Sequence, residues 1–444
     1  MSLTLARAVR AEESKRIAFV GSGGKTTAIF QLARQLAPPV IVTATSHLGT
    51  WQLSLADKHI VGASTNVLEY HEKKLPNIVL ITGEVDGDRT KPVNDDVLDS
   101  IHKFCLDRVA LLLIEADGSR QKPLKGWAGH EPPIPAFADH IVQVAGLSGL
   151  GKSLSDEFVH RPEEFSKLSG LKPGEEISIR AITRVLLHSK GARKNFPHGA
   201  RRTIILNQAD TPELQANARG MARSLLAGFD SAIISDLTQK RIHAAHERVA
   251  GIILAAGDST RFGSPKQLLD WHGEPFTRVV ARKALEAGLS PIFLVVGAHA
   301  EDVGKTVDDL NVKVIENTKW RDGQSTSIKT GVSSVLAEKS KIGAAIFLLI
   351  DQPHVRTSIL QALVERHAEK LPAVVAPMVM DRRANPVLFD RRTFSDLLTL
   401  EGDVGGRAIF HKHSVEYVPW HDDRLLLDVD TPEHYQRLLA DETL

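Results

Sequence analysis

Leu254 to Lys266 reads Leu-Ala-Ala-Gly-Asp-Ser-Thr-Arg-Phe-Gly-Ser-Pro-Lys. The run before it, with Val249, Ile252 and Ile253, has the apolar character of a buried strand. The strand then gives way to a loop of glycine and small polar residues whose cations are Arg261 and Lys266. A strand that ends in a glycine loop brings backbone N–H groups close to phosphates, because glycine puts no Cβ in the way. Two cations in the same loop offset charge on a triphosphate. Leu254, Ala255, Ala256 and Gly257 are therefore candidate nucleotide-binding residues, and Arg261 and Lys266 candidate catalytic ones.

Downstream of the loop, helical and strand patterns alternate. The spacing predicts helices over Phe276–Ala287, Glu301–Leu310, Thr326–Ala337 and Ser358–Ala368. Strands are expected at Pro291–Gly297, Val312–Glu316 and Ala344–Ile350. Such alternation predicts an α/β domain with a mainly parallel sheet. Asp351 stands at the carboxyl tip of the last of these strands, where α/β sheets bind ligands. In Asp428-Val429-Asp430, extended backbone puts both carboxylates on one face. With Asp351 they form a candidate Mg²⁺ site. Asp430-Thr431-Pro432-Glu433 also has the make-up of a helix start, and the metal and capping readings are both open.

The upstream half carries a second glycine loop. A short apolar strand, Arg16–Val20, runs into Gly21-Ser22-Gly23-Gly24-Lys25-Thr26-Thr27 and then a helical pattern. Strand, glycine loop, Lys-Thr and helix make the P-loop context, with Lys25 for terminal phosphates and Thr26 for Mg²⁺. The usual spacing asks for glycine at position 19, which is Phe19, so the loop is short. The alternative is a tight structural turn. Val109–Ile114 leads to Glu115-Ala116-Asp117-Gly118, whose carboxylates sit where a P-loop's metal or water partner belongs. A turn aspartate before glycine is the plainer reading. Thr43-Ala44-Thr45-Ser46-His47 ends another strand, and its hydroxyls suit either a ligand or helix capping. Asn207-Gln208-Ala209-Asp210 resembles a guanine-reading loop, but with Gln208 where lysine is usual an ordinary turn fits better.

The bulk properties set limits. The chain has 444 residues, enough for two or three domains, and a net charge of +1 from 55 basic and 54 acidic residues. That balance gives no global field for nucleic acid or an anionic membrane. The single cysteine, Cys105, excludes an internal disulfide or a Cys cluster for metal and fits a reducing compartment. No apolar run approaches the ~20 residues of a membrane span, and residues 1–7 lack a secretion-signal core, so a cytoplasmic protein is expected. The polar, basic stretch Thr238–Arg248 marks the boundary between domains 1–248 and 249–444.

Two family resemblances rest on these motifs. Gly21–Thr27, Thr43–His47, Glu115–Gly118, His130-Glu131-Pro132, Gly149–Lys152 and His160-Arg161-Pro162 together resemble the selenium-dependent hydroxylase accessory (YqeC-type) family, over about residues 10–240. Leu254–Lys266, Gly323–Ile328, Asp351-Gln352-Pro353, Asn385-Pro386-Val387, Gly402–Arg407 and Asp428–Pro432 resemble the molybdenum cofactor cytidylyltransferases (MocA-type), over about 249–440. The first resemblance implies an NTP-binding accessory domain in molybdenum hydroxylase maturation, with ATP or GTP on Gly21, Gly23, Gly24, Lys25, Thr26 and Thr27. Thr26, Glu115 and Asp117 are its expected metal partners. The second implies a Rossmann-like nucleotidyltransferase that moves CMP from CTP, with Mg²⁺, onto the phosphate of a molybdopterin-type cofactor. Ser325 is then an expected nucleotide contact, and Asn385 and Arg407 expected acceptor contacts. Leu254-Ala255-Ala256-Gly257, where related guanylyltransferases have Leu-Ala-Gly-Gly, favours CTP. A molybdenum hydroxylase apoenzyme is an expected partner. Two other readings remain: nucleotidyl transfer to another phosphorylated acceptor, and a cofactor chaperone switched by nucleotide.

Overall fold

In the computed structural model, residues 2–65, 75–258, 262–339 and 341–440 are described. The chain divides into two compact units, Met1–His246 and Glu247–Leu444. Both are α/β.

The first unit is built on a nine-stranded sheet. Its strands are β1 (Arg16–Gly21), β2 (Val40–Ala44), β3 (Lys58–Val61), β4 (Ile78–Thr82) and β5 (Leu111–Glu115). They continue with β6 (His140–Gly146), β7 (Arg201–Asn207), β8 (Ser231–Asp236) and β9 (Arg241–Glu247). The spatial order is β9-β8-β7-β6-β1-β5-β2-β4-β3, and every neighbouring pair from β8 to β3 is parallel. Parallel strands need crossover connections and are covered on both faces. That is why Ile17, Ala18, Phe19 and Val20 are all fully buried and read as a continuous apolar run. From β1 the chain moves first toward β2 on one side and later to β6 on the other. The crevice at the carboxyl end of β1 is thus a topological switch point, the usual ligand position in such sheets.

The second unit has an eight-stranded sheet. Its strands are β10 (Val249–Ala255), β11 (Ile292–Val296), β12 (Lys313–Glu316), β13 (Ala344–Leu349), β14 (Val374–Val379), β15 (Arg382–Arg383), β16 (Val387–Asp390) and β17 (Val415–Pro419). The order is β12-β11-β10-β13-β16-β14-β15, with β17 beside β14. The half from β12 to β13 is parallel, whereas β16 runs antiparallel to both β13 and β14. Separate apolar cores lie on the two faces of this sheet.

Two expectations shift. The helix expected over Glu301–Leu310 spans only Ala300–Lys305. The polar, basic stretch expected to mark the boundary contains a strand, because Arg241–Glu247 forms β9 with His246 and Glu247 buried. Buried polar side chains break the hydropathy alternation by which a strand is recognised. Among the described residues no helix is long and apolar enough to cross a membrane.

Candidate functional sites

In the second unit, β10 delivers Ala255 and Ala256 buried and then Gly257 into open space, since a Cβ at Gly257 would meet nothing within 4 Å. The two ends of the loop are tied by Gln267, a residue the sequence motifs did not single out. Its Nε2 donates to the carbonyls of Ala255 (3.0 Å) and Gly257 (2.6 Å), and its side chain is buried. Leu254 is half-buried at the strand's end, and Arg261 lies outside the described residues. Lys266, at the loop's far end, is not free in solvent. Its side chain is only 12% exposed, and its Nζ contacts Asp430 Oδ1 at 2.6 Å.

The second unit's three aspartates converge. The Val429 N–H donates to the Asp351 carbonyl at 3.0 Å, which brings Asp428 and Asp430 to the tip of β13. Gln352 Nε2 donates to Asp428 Oδ1 at 2.7 Å. Burial, reinforced by the charges of Asp428 and Asp430, pushes the Asp351 carboxyl up to about 6, with Lys266 opposing. Burial also raises Asp428. Asp351 Oδ1 is buried with no hydrogen-bond partner. The carboxylates of Asp351, Asp428 and Asp430 crowd one another and Asp351 keeps an unpartnered oxygen, which offers a hard divalent cation oxygen donors, but the three ligand groups that lie within 4.8 Å of one another among the described residues are those of Glu247, His367 and Asp390. The capping reading holds, because Thr431 Oγ1 accepts from the His434 N–H at the start of the helix Pro432–Ala440. Thr431 caps, which leaves the two aspartates to face Asp351.

Arg407 donates to Asn385 Oδ1 at 3.3 Å, and its charge reaches Asp428. Those two expected acceptor contacts therefore border the carboxylates. Ser325 is buried near the start of the helix Gln324–Leu336, and its N–H is already bonded to the Gly402 carbonyl. Arg383 lies over the rings of Phe410 and Tyr417, a structural cation–π setting.

In the first unit, the short glycine loop after β1 is tightly constrained. Gly23 has φ 75°, and a Cβ there would stand 2.5 Å from Gly146. Glycine is required by both backbone and space. Lys25 Nζ donates to the Gly21 carbonyl at 2.7 Å and lies 3.3 Å from Asp117. Thr26 Oγ1 donates to Glu115 Oε2 at 3.0 Å. Burial holds the Glu115 carboxyl above its usual range against the pull of Lys25 and Thr26. Both Asp117 oxygens accept from the Gly21 N–H at 3.0 Å, so Asp117 fixes the loop as well as the lysine. Thr27 is exposed on the helix Lys25–Ala33.

The motifs His130-Glu131-Pro132 and His160-Arg161-Pro162 join this site through Lys125, which sequence reasoning missed. Lys125 is fully buried and pairs with Asp117 (3.0 Å) and Glu131 (3.3 Å). Arg161 also pairs with Glu131. Burial, with Arg161 and Lys125 nearby, lowers His160 to about 4, so its ring is neutral at pH 7. A lysine between Leu124 and Gly126 gives no local signal of burial; only its carboxylate partners Asp117 and Glu131 make it tolerable.

Other expectations resolve as scaffold. Thr43 Oγ1 donates to the Ile81 carbonyl within the sheet. Asn207 Nδ2 donates to the Gly23 carbonyl at 2.7 Å, and its Oδ1 accepts from the Leu237 N–H and Ser235 Oγ. Its side chain welds the P-loop to the ends of β7 and β8. Asn207→Ala is expected to cost about 2–4 kcal/mol, measured as the lost stability of the first unit's unfolding transition.

Comparison with known proteins agrees with this division. The family model described as YqeC protein matches residues 17–163, and that described as MobA-like NTP transferase domain matches residues 251–417. The chain is 31% identical over 204 residues to Uncharacterized protein YqeC of Escherichia coli, covering 43% of this chain and 75% of that one. It is 27% identical over 201 residues to Nicotine blue oxidoreductase of Paenarthrobacter nicotinovorans (43% and 96% covered). It is 26% identical over 202 residues to a Probable molybdenum cofactor guanylyltransferase of a Geobacillus species (44% and 99% covered).

Proposed function

We propose, for a chain that belongs to the YqeC family in its first unit and carries a MobA-like NTP transferase domain in its second, a two-part role in molybdenum cofactor maturation. The second unit is a nucleotidyltransferase domain, and we read its reaction as transfer of CMP from CTP to the phosphate of a molybdopterin-type cofactor, with release of pyrophosphate. The first unit binds ATP or GTP and assists maturation of a molybdenum hydroxylase. The observation that carries the transferase reading is the convergence of Asp351, Asp428, Asp430 and Lys266 at the end of parallel strands, beside the open face of Gly257.

Asp351 with Asp428 or Asp430 would hold Mg²⁺, which when bound supplies charge compensation between the nucleotide and the acceptor phosphate. Gly257 leaves room for the triphosphate to approach the backbone. Lys266 keeps a positive charge beside the carboxylates, where the pyrophosphate develops charge as it leaves. The attacking phosphate oxygen is already an anion, so no residue has to remove a proton. What the chain supplies is position and charge. Asn385 and Arg407 stand beside Asp428 as acceptor-side contacts.

CTP is preferred in this reading because of Ala256. A Cβ on Gly297 would lie 2.9 Å from the Ala256 methyl. That methyl is therefore packed inward, against the turn that carries Gly297. The test is pyrophosphate release from CTP, GTP, ATP and UTP, each with and without molybdenum cofactor. Release with CTP and cofactor alone is expected. Release with GTP reassigns the nucleotide, release with another phosphorylated acceptor reassigns the acceptor, and tight binding without release favours a nucleotide-switched chaperone. Lys266→Ala is expected to slow the reaction roughly 100-fold or more. Its stability should change by no more than about 1 kcal/mol, because Asp430 is partly exposed. A wild-type rate in that variant would remove Lys266 from the mechanism.

A further inference from the structure

The cavity over the P-loop is larger than one nucleotide's phosphates require. Its volume is about 1020 Å³, at the upper end of the roughly 300–1,000 Å³ that suits a single small ligand. Thr26 and Glu115 mark the end where the terminal phosphate belongs, on the β5 side of β1. The wall of the cavity also includes Ser46, Trp51, Arg89 and Arg120.

That wall is built rather than incidental. Trp51 is 56% exposed, and its indole folds back over its own loop, where a Cβ on Gly49 would lie 2.5 Å from the ring nitrogen. The adjacent Gln52 donates to Thr26 Oγ1 at 2.9 Å, which ties this loop to the phosphate end. Gly49 bridges Arg89, and the Thr50 N–H donates to the Asp88 carbonyl, so Trp51 and Arg89 sit on joined segments. Ser46 Oγ is buried without a hydrogen-bond partner. The charges deeper in the cavity are already matched, since Lys25, Lys125 and Arg161 are engaged by Asp117 and Glu131. Arg89 and Arg120 are exposed and make no ion pair among the described residues.

We propose that this wall of the cavity binds a second ligand beside the terminal phosphate: a planar heteroaromatic phosphate monoester. Its ring stacks on Trp51, its phosphate is met by Arg89 and Arg120, and Ser46 Oγ supplies an unused hydrogen bond. The proposal rests on reading Gly21–Thr27 as a nucleotide cradle. It gives the first unit the same ligand class that the second unit is proposed to nucleotidylate.

The test is calorimetric titration of the full-length protein with riboflavin 5′-phosphate as the planar phosphate. Riboflavin serves as its uncharged counterpart and inorganic phosphate as its non-planar one. Saturable binding of riboflavin 5′-phosphate is expected, at least ~10-fold tighter than either control. Trp51→Ala and the double variant Arg89→Ala/Arg120→Ala should each weaken it ~10-fold or more, and Trp51→Phe should restore most of it. No saturable binding, or binding that both variants leave unchanged, overturns the proposal; the latter assigns the ligand to the second unit. Nucleotide binding by Lys25→Ala tests the cradle separately, so the two readings fail by different signals.

Discussion

Asp351→Asn is expected to reduce nucleotidyl transfer by roughly 10³-fold or more while leaving the metal-free protein at least as stable as the wild type. The Asp351 carboxyl titrates at about 6 because it is buried beside Asp428 and Asp430. In the unfolded chain the same carboxyl titrates near its ordinary value of 3.8. The folded state therefore holds this proton more tightly. As pH rises from about 4 to 6 the unfolded state ionises first, and stability falls across that window. Above it the full cost is of order 3 kcal/mol. Asparagine has no charge to bury and escapes this cost.

The metal-free variant should consequently melt higher than wild type at pH 7.5, by roughly 6–12 °C, and match it below pH 4. Adding Mg²⁺ should raise the wild-type melting temperature and barely move the variant's. Wild-type metal affinity should climb as pH passes through about 6, since a cation must displace the Asp351 proton. A variant that melts lower at pH 7.5 yet retains activity would show that Asp351 is a structural acid rather than a ligand.

Lys25→Ala is expected to weaken nucleotide binding by the first unit roughly 100-fold or more and to leave transfer by the second unit unchanged. Lys25 Nζ is parked on the Gly21 carbonyl and Asp117, at the mouth of the glycine loop. It needs only a local swing to meet terminal phosphates. The fold should survive its loss, because Asp117 keeps Lys125 at 3.0 Å and the Gly21 N–H. Two classes of nucleotide site should be seen by titration in the wild type and one in the variant. If the variant still shows both, the loop is a structural turn and the first unit holds no P-loop nucleotide.

The sequence by itself determined the parts of this protein that are encoded locally. Apolar runs named β1, β5, β10 and β13 because parallel strands covered on both faces are apolar throughout. Glycine loops and the carboxylates at strand tips marked both sites because their chemistry needs those residue types at neighbouring positions. The tertiary structure alone decided which distant residues meet. Asp351 and Asp428 are far apart in the chain, and a backbone hydrogen bond between their segments joins them. Lys125 joined the candidate site at the first glycine loop only when Asp117 and Glu131 arrived from either side of it. Gln267 and Asn207 proved to hold the two loops in shape, and β9 emerged from a stretch that looked like a polar junction. The physical reason is common to all of these. A buried polar side chain is stable only with partners, and partners that are not helix or turn neighbours are brought to it by the tertiary fold, which no local period or turn preference encodes.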